Sequence, residues 1–261
     1  MNYRTMLLAS AAVLFTASAN AADFTSPFAL PSKGHVISET KIETTRTKYE
    51  KTGVYKGIDK GDYAREYLKI GVADNLAVTA HIGNTFMYGN DELNNDHNFD
   101  YALGLKYNIN SDRVVTQLTA AYRTYDPRSW YGKHNVDNNR WVKILAGEVK
   151  VGYLFDCGLT PYTSLGMEGA IDEADRDINY SWFVGAHKLV NKWALDGGIR
   201  YNFSTDTGND RHQDWFAEAK VDYYVKDNVT VGGYADYYLG GKGHHYVDYG
   251  YTAGLALKVL F

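Results

Sequence analysis

The stretch that decides the fold is the last one, Tyr251-Thr252-Ala253-Gly254-Leu255-Ala256-Leu257-Lys258-Val259-Leu260-Phe261. Read two residues at a time, one face carries Tyr251, Ala253, Leu255, Leu257, Val259 and Phe261. The other carries Thr252, Gly254, Ala256, Lys258 and Leu260. Successive side chains of a strand point to opposite faces, so this is a strand with one apolar and one polar surface. An apolar outer face over a polar inner one suits a strand set between lipid and an aqueous lumen. A strand of a soluble barrel would turn its apolar face inward.

The other end of the chain is a targeting pattern. Arg4 precedes an apolar run, Met6 to Phe15, broken only by Ser10. Ala19-Asn20-Ala21 then supplies a small-x-small cleavage site. The run is shorter than the roughly 20 residues a helix needs to cross a bilayer. Residues 1–21 are therefore expected to be a cleaved signal peptide, with residues 22–32 a short periplasmic lead and 33–261 the folded domain. No Cys follows the cleavage site, which disfavours a lipoprotein.

Mean hydropathy is -0.40, a value that would place an ordinary chain among soluble proteins. It does not do so here, because a membrane barrel exposes only alternate residues to lipid and its strands average out as polar. The formal charge is -4, and loss of the one Arg in residues 1–21 makes the remainder -5. A mildly acidic chain has no general attraction to nucleic acid. The 23 tyrosines fit a β protein with interfacial belts of aromatic residues. The single Cys157 cannot form an internal disulfide and falls in an expected turn.

Between the ends runs a hairpin rhythm. Short turns rich in Asp, Asn and Gly recur near Asn75, Asp112, Gly158, Asn191 and Asn228, and longer polar connections lie between them. Short periplasmic turns alternating with longer outer loops are the asymmetry of outer-membrane barrels. The expected strands cover 34–50, 62–72, 76–86, 97–108, 113–125, 140–155, 161–171, 178–189, 193–204, 214–226, 229–239 and 249–261. Twelve antiparallel strands return the chain to the side on which it started; ten or fourteen would need one hairpin read differently. Strand 97–108 sets Phe99, Tyr101, Leu103, Leu105 and Tyr107 against Asp100, Gly104 and Lys106. Strand 193–204 sets Trp193, Leu195, Ile199, Tyr201 and Phe203 against Asp196, Arg200 and Asn202. Aromatic residues gather near the strand ends, as expected at headgroup level. Strand 34–50 is less regular, since Glu39, Lys41 and Glu43 alternate with Ser and Thr. It is retained because an open edge in lipid would leave backbone groups unpaired.

The closing segment resembles the C-terminal assembly signal of outer-membrane barrels, through Thr252, Gly254, Leu257, Val259 and Phe261. That resemblance implies barrel assembly machinery and periplasmic chaperones as partners, and outer-membrane lipid and lipopolysaccharide as surroundings. In size and strand count the chain is similar to the twelve-stranded monomeric oligosaccharide-specific porins. Those porins line the lumen with an excess of bases for acidic sugars, and this chain does not. Its inward bases are expected to be Arg65, Lys69, Lys106, Arg123, Lys150, Arg200, Lys220 and Lys258. Its inward acids are expected to be Asp100, Glu148, Glu168, Asp196, Asp214, Glu218, Asp222 and Asp236. Charges so balanced either pair across a narrow lumen and plug it, or form separate tracks beside water.

Three functional readings follow. One is a channel for passive passage of small hydrophilic solutes. The second is a structural or adhesion barrel with a plugged lumen, acting through loops such as 126–139, with Trp130 and Tyr131, or 240–248, with His244 and His245. The third is a hydrolase in the barrel wall, for which His187 with Ser181, or His212 with Asp210 and Asp214, would supply the groups. No spacing among them is diagnostic of catalysis, so no catalytic residue is assigned. Adjacent histidines on a loop have no fixed ligand geometry, and neither metal nor cofactor is expected.

Overall fold

Residues alternate between an apolar and a more polar face in every segment but the first, and each segment forms a strand in the computed structural model. The structure describes residues 23–50, 56–88, 99–125, 142–171, 178–204, 213–242 and 247–261. The strands are β1 (Val36–Glu50), β2 (Lys56–Ala73), β3 (Leu76–Tyr88), β4 (Phe99–Ser111), β5 (Val114–Tyr125) and β6 (Val142–Tyr153). They continue with β7 (Leu159–Ala170), β8 (Ile178–Val190), β9 (Trp193–Ser204), β10 (Gln213–Lys226), β11 (Val229–Lys242) and β12 (Val247–Leu260). Each pairs antiparallel with its sequence neighbours, and β1 pairs with β12, so the sheet is a closed barrel of twelve strands.

Exposure shows which way the barrel faces. Leu255, Leu165 and Leu103 are 69%, 64% and 63% exposed, an inversion of soluble proteins, in which such residues are the most often buried. They lie in an outward band with Leu145, Val149, Leu195, Val221 and Val231. Trp193 and Tyr223 meet at a tilt near the short turns, and Tyr201 and Trp215 do so near the opposite rim, at ring separations of 4.8 and 4.5 Å. Aliphatics between two aromatic levels form the lipid-facing belt of a transmembrane barrel.

The short turns match the sequence. Asp112 and Asn191 adopt positive φ, as does Gly158, and Asn, Asp and Gly are the residues that tolerate the left-handed conformation of tight turns. Among the described residues no helix is long and apolar enough to cross a membrane.

β1, the irregular strand of the sequence, is fully engaged. It pairs with β2 from Val36↔Ile70 to Glu50↔Lys56 and with β12 from Ile37↔Leu260 onward. Phe261 fastens the seam: its N–H donates to the Val36 carbonyl at 2.8 Å, and the Val36 N–H donates back at 3.1 Å. Deletion of Phe261 removes both rungs, so the fraction of chain that assembles into a heat-modifiable barrel is expected to fall sharply. Cys157→Ser, in an exposed turn, is expected to leave that fraction unchanged. Equal assembly of the two variants on unheated gels would rule out this role for the terminal strand.

Candidate functional site in the barrel lumen

The alternation that turns aliphatics outward turns the charges inward. Arg65, Lys69, Asp100, Lys106, Arg123, Glu148, Lys150, Glu168, Asp196, Arg200, Glu218, Lys220, Asp236 and Lys258 all occupy inward positions of their strands, as do Asp214 and Asp222. β1 adds three charges that were not placed in the lumen from sequence: Glu39, Lys41 and Glu43. Their Glu-x-Lys-x-Glu spacing is the signal of an inward face, masked by the polar residues between them.

These charges pair along the wall. Arg65 pairs with Glu43, which also accepts from the Tyr234 hydroxyl. Arg123 meets Glu168 at 3.0 Å, and Arg200 meets Glu218 at 2.9 Å and Asp236 at 3.9 Å. Lys220 lies 2.9 Å from Glu39 and 3.6 Å from Asp222. Lys258 lies 3.8 Å from Glu39 and 3.6 Å from Asp222. Lys150 is 3.8 Å from Glu148, and Asp100 is 3.4 Å from His81. Among the described residues each such pair joins strands no more than three apart, so none bridges opposite walls.

The walls differ in sign. From β2 to β6 the inward bases are Arg65, Lys69, Lys106, Arg123 and Lys150, against the acids Asp100 and Glu148. From β7 to β11 the acids are Glu168, Asp196, Asp214, Glu218, Asp222 and Asp236, against Arg200 and Lys220. An excess of positive charge therefore faces an excess of negative charge. A cavity of about 440 Å³ lies between β1–β2 and β9–β11, lined among others by Arg65, Glu218 and Asp236, with Tyr63, Tyr67 and Tyr234 as its aromatic faces. The Lys41 ammonium sits 4.9 Å and 4.8 Å from the Tyr67 and Tyr234 ring centres, within cation–π range.

Below this cavity the lumen is occupied by the chain itself. Residues 23–35, most of the expected periplasmic lead, fold into the end of the barrel nearest the short turns. Phe28 is buried against Val115, Tyr162 and Phe183, and Phe24 against Ile37 and Leu260. The Phe28 carbonyl accepts from Asn108 at 2.8 Å and from Gln117 at 3.3 Å, and the Ala29 carbonyl accepts from Lys69 at 3.3 Å. Two glycines make room. A Cβ at Gly152 would sit 2.5 Å from the Phe28 ring, and one at Gly71 would strike the Ser32 carbonyl.

Asp23 anchors the segment. Its carboxylate takes His187 Nε2 at 2.7 Å, the Tyr224 hydroxyl at 2.8 Å and the Thr25 hydroxyl. Burial pushes the Asp23 carboxyl up, but these partners outweigh it and hold the group far below the ordinary carboxylate range. The other His187 nitrogen lies 3.3 Å from Asp196, which also accepts from Tyr162 at 2.8 Å. His187 is 3% exposed and clasped by two carboxylates. Ser181, the hydroxyl considered beside it, sits higher on β8 against Gly166, so the pair is not brought together. The other group considered for catalysis, His212 with Asp210, lies outside the described residues, as do loop positions 126–139 and His244–His245. Among the described residues no cluster of metal-binding side chains is found.

No protein family matches the chain, and no curated protein matches it. Solved structures do. The COG4313 outer membrane channel from Pseudomonas putida F1 superposes with a TM-score of 0.63 at 13% identity, covering 94% of this chain and 100% of that one. The NanC porin gives 0.56 at 9% identity over 84% and 98% of the two chains. The KdgM porin, solved in complex with disordered oligogalacturonate, gives 0.51 at 8% identity over 85% and 99%. These likenesses establish the fold, that of outer-membrane porins and channels.

The inserted segment can be tested through its anchor. Asp23→Asn is expected to weaken docking by about 1–3 kcal/mol, the range for leaving a buried polar partner unsatisfied. A probe thiol at position 30 (Leu30→Cys with Cys157→Ser) should then react faster with a soluble reagent. Because folding lowers the Asp23 value, its contribution is complete above the usual 3.8 and is lost only as pH falls below that. The reactivity of position 30 with Asp23 intact is therefore expected to hold steady from neutrality down to a pH of about 5. A rise across that range, after allowance for the reagent's own pH dependence, would show that another group governs docking.

Proposed function

We propose that this chain is an outer-membrane channel for passive passage of small hydrophilic solutes. The observation that carries the reading is the arrangement of lumen charge. A lumen closed by cross-wall ion pairs would leave little wetted space. Here the pairs run along the wall and leave a polar cavity in which Lys41, Glu43 and Arg65 of β1–β2 face Asp196, Glu218, Lys220 and Asp236 of β9–β11. Charged groups of opposite sign on facing walls act on the hydration and orientation of a passing solute, as charged rings do in selective pores. Small polar solutes with charges of both signs suit that environment better than long acidic sugars, which would meet the acidic wall of β7–β11. The fold shared with porins and channels supports the reading. Residues 1–21 fit export across the inner membrane, the Phe261 seam fits delivery by barrel assembly machinery and periplasmic chaperones, and the aromatic belts fit a setting of phospholipid and lipopolysaccharide.

The docked segment at the periplasmic end favours one alternative, a structural or adhesion barrel whose lumen stays shut. Planar-bilayer recording of the refolded chain, with and without residues 23–32, separates the two. Under the channel reading, removal of the segment raises single-channel conductance. Arg200→Gln with Lys220→Gln should then shift the reversal potential under a salt gradient toward cation selectivity, because both substitutions remove positive charge from the acidic wall. A truncated barrel that inserts, shows the gel shift of a closed fold and carries no current would overturn the channel reading in favour of the structural one.

A further inference from the structure

The outward face is apolar around the barrel with one exception. On β1 the outward residues are Ser38, Thr40, Ile42, Thr44 and Arg46; on β2 they include Asp62 and Glu66. Between the aromatic belts, among the described residues, no outward position of β3–β12 carries a charge; Lys143 and Lys188 lie at the rims. Asp62 and Glu66 are thus carboxylates on a surface otherwise built for lipid.

Their depth follows from strand geometry. Val72, exposed and just above the turn at 74–75, marks the lower edge of the apolar band on β2. Glu66 is six residues higher, which at a rise of about 3.3 Å per residue and a tilt of about 45° is roughly 14 Å. The band is about 25 Å tall, so Glu66 lies near its middle and Asp62 near its outer edge. Charged groups on the lipid face are destabilising, most of all at the midplane.

The two strands are complementary to each other. β1 presents donors, β2 presents acceptors, and they match in register, Thr40↔Glu66 and Thr44↔Asp62. Within one chain the match is already made. Ser38 and Thr40 donate to Glu66, Thr40 at 2.6 Å. Thr44 donates to Asp62 at 2.6 Å, and Arg46 reaches it at 3.3 Å.

We propose that this face is where a second copy of the chain docks, in a two-fold pair whose axis runs along the membrane normal between β1 and β2. Both copies then stand the same way up, and the rotation lays β1 of each against β2 of the other at equal depth. Each β1 then covers the carboxylates of the other copy's β2, the Arg46 guanidinium, which has N–H groups to spare, meets Asp62 across the interface, and the charges leave the lipid. Such a contact is isologous and closes on itself. Among the described residues the barrel offers one such face, whereas a ring would need two different complementary faces. This face lies on the outer surface, so the pairing is independent of whether the lumen conducts.

The test is site-directed cross-linking of the full chain in outer-membrane vesicles, with Cys157→Ser so that the introduced thiol stands alone. Thr40→Cys lies beside the proposed axis, and Leu165→Cys lies on the opposite wall. Mild oxidation is expected to give a reducible band at twice the chain's mass for Thr40→Cys and none for Leu165→Cys. The double variant Asp62→Leu, Glu66→Leu is expected to lose the dimer in detergent mass measurements while keeping the gel shift of a closed barrel. No band from a folded Thr40→Cys protein, bands of equal strength at both positions, or an adduct of any other mass would overturn the proposal. So would a folded double variant that remains dimeric.

Discussion

Hydrocarbon offers a backbone N–H nothing to bond to, and each unpaired group there costs several kcal/mol. A β protein in a bilayer must therefore leave no free strand edge, and this one meets the requirement at a single seam. β1 and β12 pair along their length, ending in the reciprocal Val36–Phe261 hydrogen bonds. The ten strands between them are each paired with both sequence neighbours, so without this seam the free edges of β1 and β12 would be the ones left in lipid. Closure also explains why β1 can carry so polar a sequence. Its place is fixed by backbone pairing on both flanks, so its side chains need not supply a lipid-facing stripe.

Once the sheet is closed, side-chain alternation assigns every other residue to the interior, and the interior inherits nearly all the charge. In so confined a space a bare charge would be costly. The wall answers with partners on nearby strands: Arg65 with Glu43, Arg200 with Glu218, and Lys220 and Lys258 with Glu39. Because the partners are close along the wall, the middle of the lumen is left open and its two sides keep opposite net sign. The lower end is filled differently. There Phe24 and Phe28 supply an apolar plug, and Asp23 ties it to His187 and Tyr224.

Much of this was legible in the sequence, and the reason is periodicity. A two-residue repeat is a direct projection of a strand's two faces, so the terminal strand and the twelve segments could be read without coordinates. Turn chemistry marked the short connections, as at Asp112 and Asn191. What could not be read were relations between residues distant in the chain. Glu39, Lys41 and Glu43 lacked an apolar counterface, so their direction was hidden until β2 and β12 flanked them. The insertion of residues 23–35 left no periodic trace, because an irregular segment is placed by the surfaces it meets. Gly71 and Gly152, which clear space for it, look like any other strand glycines.

The sequence by itself pointed to a closed antiparallel membrane barrel with a charged interior and favoured twelve strands, because local alternation and turn residues encode facing and hairpin spacing. Only the tertiary structure decided how that interior is organised. Which base meets which acid, whether pairs run along or across the lumen, and where the N-terminal segment lodges all depend on strand register and tilt around the closed sheet. Those are properties of the assembled barrel, with no counterpart in the spacing of residues along one strand.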